Sequence, residues 1–287
     1  MNGKIICINA SLHKVLLENN QVIETKTRGK LRNEHVFPLV GDNVIVDTRT
    51  KTIEKVLERK NSLDRPLVAN IDKLLIVMST SIPAFSSYLI DKFLILAYYN
   101  KIEPIIIITK TDMISDKEKE EIQKYIDYYR KIGIKVYLNT SVNKIKKEFK
   151  NSVVALCGQT GSGKSSLLNK MDASLSLKTG DVSLSLGRGK HTTRLVELLK
   201  VGDRLIADTP GFSSLEVNID KKEIKNYYPD FKIPCKYRSC LHIKEVGCSI
   251  IELVNMKKIP SWRYENYLKI IEEIDNKKSG GRKNERF

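Results

Sequence analysis

The segment Gly158-Gln159-Thr160-Gly161-Ser162-Gly163-Lys164-Ser165-Ser166 directly follows the apolar run Val153-Val154-Ala155-Leu156-Cys157. It meets every fixed position of the phosphate-binding P-loop pattern, and its setting is the required one, a short buried strand before it and a helix over residues 165–171 after it. Glycines at 158, 161 and 163 let successive backbone N–H groups converge on a β-phosphate, and the helix N-terminus adds partial positive charge. Lys164 is placed to bridge β- and γ-oxygens, and the Ser165 hydroxyl to ligate Mg²⁺. A nucleoside triphosphate site on an α/β sheet is the expectation.

Continuous apolar runs at 71–78, 104–108, 134–138 and 153–156 alternate with helical patterns at 86–99 and 116–131. Buried strands alternating with helices predict a doubly wound, mostly parallel sheet. A hairpin over 195–199 and 205–207, turning at Val201-Gly202-Asp203, extends it. Such sheets gather their ligand loops at strand C-termini.

Base selectivity is expected from one such tip, Thr109-Lys110-Thr111-Asp112. A carboxylate at Asp112 can accept two hydrogen bonds from guanine N1 and N2, which adenine cannot supply, while the Lys110 stem covers the base. The usual first residue of this motif is Asn; Thr109 removes one amide contact, which should weaken affinity before selectivity. Thr140-Ser141, after the strand at 134–138, offers either a backbone contact to guanine O6 or a helix cap. Asp208-Thr209-Pro210-Gly211 follows another strand; Asp208 can hold Mg²⁺ through water, and the Gly211 N–H can meet a γ-phosphate. Between these lies Gly187-Arg188-Gly189-Lys190-His191-Thr192-Thr193, suited to a switch loop closing on Mg²⁺ through Thr193, with Thr192 as the alternative.

The base-reading segments precede the P-loop, the reverse of the usual order, so the nucleotide domain is circularly permuted. Permutation attaches the Asp208 switch directly to the C-terminal region, which nucleotide state could then pull mechanically. That region contains Cys235-x4-Cys240-x-His242-x5-Cys248, three thiolates and one imidazole, which complete a tetrahedral Zn²⁺ shell and leave no open position. The predicted zinc is structural. Five cysteines, three of them in this cluster, form a metal-site pattern and not a disulfide framework.

Residues 1–65 hold about five short Val/Ile-rich runs separated by turns such as Glu18-Asn19-Asn20 and Gly41-Asp42-Asn43, the signature of a small antiparallel barrel of OB type. Lys26, Arg28, Lys30, Arg32, Arg49 and Lys51 would give it a basic face. The polar stretch 59–66 reads as a linker, residues 262–274 as a helix, and 277–283 as a flexible basic tail. The boundaries are barrel 1–66, nucleotide domain 67–219 and zinc domain 220–287.

The 287 residues carry 50 Lys+Arg against 34 Asp+Glu, a net charge of +16 that suits an acidic partner such as RNA. No apolar stretch approaches the ~20 residues of a membrane span. The N-terminus lacks a secretory or transit pattern, so a cytoplasmic protein is expected. No heptads or broad apolar stripe argue for a dimer, and a monomer is the expectation.

With these motifs in place, the chain resembles the small-ribosomal-subunit biogenesis GTPases, the circularly permuted GTPases of the RsgA/YjeQ type, over nearly its whole length. The resemblance implies guanine recognition at 109–112, phosphate and Mg²⁺ binding at 158–166, a switch at 191–193, a γ-phosphate sensor at 208–211, and zinc on Cys235, Cys240, His242 and Cys248. It also implies GTP hydrolysis to GDP that is slow alone and faster on the 30S subunit, binding to 16S rRNA, and help in late maturation of that particle near its decoding region. Two positions depart from the family. Arg194 follows Thr193 where a third Thr is usual, and Phe212 stands where Ras-like enzymes carry a water-orienting Gln, leaving His191 as a candidate to position water. A passive RNA-binding module whose nucleotide site hardly turns over, or a P-loop enzyme acting on a small molecule, are the alternatives.

Overall fold

The computed structural model describes residues 1–28, 37–64, 67–172, 175, 196–208 and 217–281; for Asp64, Asp208 and residues 277–281 only the backbone is described. The N-terminal segment alternates buried and exposed positions with the period of a strand. β1 (Asn2–Asn9), β2 (Leu12–Leu17), β3 (Val22–Thr27), β4 (Asn43–Asp47) and β5 (Thr52–Val56) form a five-stranded barrel around Ile5, Val15, Leu17, Val44, Val46 and Ile53. β1 pairs with both β2 and β4, and β3 runs parallel to β5, which closes the ring in OB-like fashion. That parallel pair is the one departure from the antiparallel expectation among the described strands.

Residues 59–66 are not a plain linker. Ser62–Asp64 (β6) pairs antiparallel with Leu67–Ala69 (β7) because Leu63 and Val68 are drawn into the core at 1% and 0% exposure. Arg59 anchors the approach with a two-pronged bond to buried Asp42, Nε to Oδ1 at 2.7 Å and an Nη to Oδ2 at 2.8 Å.

β8 (Lys73–Ser79), β9 (Glu103–Thr109), β10 (Lys135–Leu138), β11 (Val153–Cys157) and β13 (Arg204–Asp208) are parallel, in the order β10-β9-β8-β11-β13. Their continuous Val/Ile/Leu runs are buried on both faces, as a parallel sheet requires. Helices α1 (Ser87–Tyr99) and α2 (Asp116–Lys131) cover one face; α3 (Val142–Glu148) and α4 (Lys164–Met171) cover the other. α2 starts on a capping box, Ser115 with Glu118.

β12 (Glu197–Val201) forms the expected hairpin with β13. Its outer edge meets β1 at Cys7↔Glu197, so barrel and nucleotide domain share one 11-stranded sheet. Lys200 Nζ adds a 2.8 Å bond to Asn20 Oδ1 at the β2–β3 turn.

The C-terminal region packs α5 (Lys221–Ile224), α6 (Ser249–Asn255) and α7 (Ser261–Gly281) around Tyr228, Phe231, Tyr267 and Ile270. α7 extends beyond the expected 262–274: its backbone stays helical to Gly281, through most of the segment expected to be a flexible tail. Among the described residues no helix is long and apolar enough to cross a membrane.

Candidate nucleotide and metal sites

The P-loop turns from β11 into α4 along a path only glycine takes easily. Gly158 has φ +135°, and a Cβ there would stand 2.1 Å from the Val77 carbonyl oxygen; Gly163 caps α4 at φ +94°. Lys164 Nζ lies across the loop, donating at 2.8 Å to the carbonyls of Gly158 and Gln159, and burial pulls its ammonium below the ordinary lysine range. Gln159 Oε1 and Ser162 Oγ are buried without a hydrogen-bond partner among the described residues. A glycine-shaped turn at a helix N-terminus, a lysine across it and buried polar atoms fit a polyphosphate, and Ser165 stands in the first turn of α4.

The segment 109–112 lies beside this loop. Ser79 pairs with Thr109 in the β8–β9 ladder, and the Thr109 hydroxyl donates to the Ser162 carbonyl at 2.6 Å. Lys110 adopts a left-handed conformation at φ +59°, its carbonyl accepting from Thr80 Oγ1 at 2.7 Å and its ammonium bonding the Ile82 carbonyl. Thr111 and Asp112 form a single 3₁₀ turn with Asp112 exposed. Thr140 is exposed, and Ser141 starts α3 without a side-chain cap bond, so the two occupy a strand tip in the same row without acting as a cap. Asp208 ends β13 opposite Glu197. His191, Thr192, Thr193 and Gly211 lie outside the described residues.

Cys235, Cys240, His242 and Cys248 converge with all ligand atoms within 4.8 Å of one another. His242 Nδ1 stands 3.4, 3.4 and 3.2 Å from the sulfurs of Cys235, Cys240 and Cys248, and Cys235 Sγ is 3.7 Å from Cys248 Sγ. A tetrahedral zinc with bonds of about 2.3 Å to sulfur and about 2.0 Å to nitrogen requires edges of ~3.8 and ~3.5 Å. The donor set fits zinc. His242 reaches it from a left-handed backbone at φ +58°. Glu245 organises the loop: burial raises its pKa, but the N–H groups of Leu241, Ile243 and Lys244 outweigh that and hold the carboxyl at about 2.

Sequence reasoning missed what joins this module to the nucleotide domain. Arg263 of α7, 1% exposed, donates to Asp91 of α1 and, at 2.9 Å, to Asp230 Oδ1. Tyr129 bonds Asp91 at 2.6 Å, Tyr128 bonds Asp230 at 3.0 Å, and Trp262 lies on Tyr125, Tyr128 and Tyr129 of α2. The Cys₃His module is thus fastened to α1 and α2. The Asp208–Val217 connection is not its sole link, as a purely tethered lever would require.

A P-loop preceded in the chain by its base-reading tip, flanked by an OB-like barrel and a Cys₃His module, defines a circularly permuted GTPase. Residues 54–218 match the RsgA GTPase family and residues 2–53 the RsgA N-terminal domain. Small ribosomal subunit biogenesis GTPase RsgA of Geobacillus sp. (strain WCH70) is 43% identical over 288 residues, covering 96% of this chain and 98% of that one. The protein of the same name in Bacillus pumilus (strain SAFR-032) is 43% identical over 292 residues, with the same coverage. Among solved structures, YloQ, a circularly permuted GTPase, superposes with a TM-score of 0.82 at 36% identity, covering 96% of this chain and 95% of that one. YjeQ from Thermotoga maritima gives 0.83 at 31%, covering 95% and 98%. The chain belongs to the RsgA GTPase family and is a GTP hydrolase.

Proposed function

We propose that this GTPase binds the small ribosomal subunit through 16S rRNA, assists its late maturation in the cytoplasm, and uses subunit-stimulated hydrolysis to leave. Three units share the work: a barrel at 1–66, the permuted GTPase at 67–219, and a zinc module at 220–287. The observation that carries the nucleotide assignment is the Thr109–Ser162 bond, which ties the guanine-reading tip to the phosphate cradle. The names of the relatives carry the ribosomal assignment.

Asp112 accepts from guanine N1 and N2, the Lys110 stem covers the ring, and the backbone at Thr140-Ser141 meets O6. The N–H groups of 158–166 and Lys164 neutralise charge developing on the β- and γ-oxygens. Ser165 and Thr193 would hold Mg²⁺, which supplies further charge neutralisation when bound. Asp208 and Gly211 sense the γ-phosphate, and His191 is the candidate for positioning water. One zinc per chain would staple the C-terminal module, and the protein acts as a monomer. Exposed Lys26, Arg28, Arg49 and Lys51 on the barrel supply salt-dependent affinity for rRNA.

Cosedimentation with purified 30S and 50S subunits tests this. The protein should pellet with 30S in the presence of a non-hydrolysable GTP analogue, be released with GDP, and ignore 50S. Equal binding in both nucleotide states would remove the release step, and no binding to 30S would remove the ribosomal role.

A further inference from the structure

We propose that Asn139 supplies the amide that reads the N7 edge of guanine, taking the place of the amide absent from position 109. This rests on the GTPase assignment above and deepens it. Thr109 is 2% exposed and its single hydroxyl proton is directed into the protein, 2.6 Å from the Ser162 carbonyl and 3.3 Å from that of Met78. Residue 109 therefore offers the base no donor. The β9–β10 ladder pairs Ile108 with Leu138, which sets Asn139 alongside Thr109, held there by its own N–H on the Ile108 carbonyl at 2.9 Å. An amide thus stands at the neighbouring strand tip, between the Lys110 turn and Thr140-Ser141.

The Asn139 side chain is also incompletely bonded: Oδ1 is buried and has no hydrogen-bond partner among the described residues. A buried amide atom without a partner is unusual and points to a partner outside the chain. Guanine presents donors at N1 and N2 and acceptors at O6 and N7. Asp112 accepts only, so it serves the donor edge, and a backbone N–H at Thr140-Ser141 serves O6. N7 then requires a side-chain donor; the Lys110 ammonium is engaged by the Ile82 carbonyl, and Asn139, alongside Thr109 in the ladder, carries an amide NH₂. The terminal torsion of Asn is soft, so a half-turn brings Nδ2 to the position of Oδ1.

Affinities of the full-length protein for GTP and for 7-deaza-GTP, in which a C–H replaces N7, measured with Mg²⁺ by competition against a fluorescent GTP analogue, test the assignment. The wild type should bind 7-deaza-GTP about 3- to 10-fold more weakly, the worth of one hydrogen bond. Asn139→Ala and Asn139→Asp, the latter keeping the shape without the N–H donors, should lose that ratio, whereas Thr109→Val should weaken both nucleotides equally and keep it. Equal binding of the two nucleotides by the wild type, or an unchanged ratio in both Asn139 variants, overturns the proposal while leaving the GTPase assignment intact. Failure of the wild type to bind either nucleotide would instead sink the assignment beneath it.

Discussion

The Thr109 hydroxyl and the Ser162 carbonyl, 53 residues apart in the chain, are joined by a 2.6 Å hydrogen bond buried between two strand tips. One end belongs to the tip of β9, the other to the P-loop. The bond fixes their separation before nucleotide arrives, so little ordering remains to oppose binding. Thr109→Val keeps the shape and leaves the Ser162 carbonyl unpaired, a loss of about 1–3 kcal/mol. Urea denaturation should show that loss, and GTP titration a weakening near 10-fold with the preference for GTP over ATP unchanged. Thr109→Ser should restore both.

The role proposed for Asp112 is to set which base is accepted. Asp112→Asn replaces a double acceptor with a group that also donates, which opposes guanine N1–H and matches the carbonyl of xanthine. GTP affinity should fall on the order of 100-fold, and xanthosine triphosphate should bind in its place. Retained GTP preference, read by competition titration, would move base recognition away from residue 112.

Zinc should be measurable and structural. Mass spectrometry under native conditions should find one zinc per chain, and a strong chelator should unfold the ligand loop, because between Lys232 and Ser249 the only buried residues are Cys240, His242 and Cys248. Cys240→Ser and His242→Ala should each copurify with less than one zinc per chain. GTP binding should persist in both, because the P-loop stands on separate strands.

Arg263 answers two carboxylates at full burial, which keeps its guanidinium charged: burial alone would lower its pKa, and Asp91 and Asp230 more than reverse that. Arg263→Ala leaves both acids buried and unpaired, and should destabilise the protein by ~3–5 kcal/mol in urea denaturation. Arg263→Lys should recover only part, since an ammonium cannot span both acids as the planar fork does. If the zinc module were held by its switch connection alone, neither change would alter subunit-stimulated hydrolysis; a loss of stimulation at temperatures where the protein stays folded would place the α1–α7 junction in the relay.

The P-loop and the Cys₃His cluster were legible because each is a short contiguous spacing whose chemistry needs those residue types. The permutation was legible from their order alone. What stayed hidden depends on partners far apart in the chain. Arg263 and Asp91 are separated by 172 residues, and nothing local marks either as a buried partner. The β1–β12 junction pairs Cys7 with Glu197, and no periodicity reveals that two predicted domains share one sheet. The β6–β7 hairpin was concealed because each of its strands is only three residues long, too short for a pattern to show. The place of Asn139 alongside Thr109 rests on the β9–β10 register, which no local pattern reveals.

Phosphate release from GTP by the purified protein, alone and with purified 30S subunits, 50S subunits or 70S ribosomes, tests the central claim most directly. Slow turnover alone with strong stimulation confined to 30S is the predicted result. Stimulation by 50S to the same degree, or none by any particle despite tight GTP binding, would contradict it.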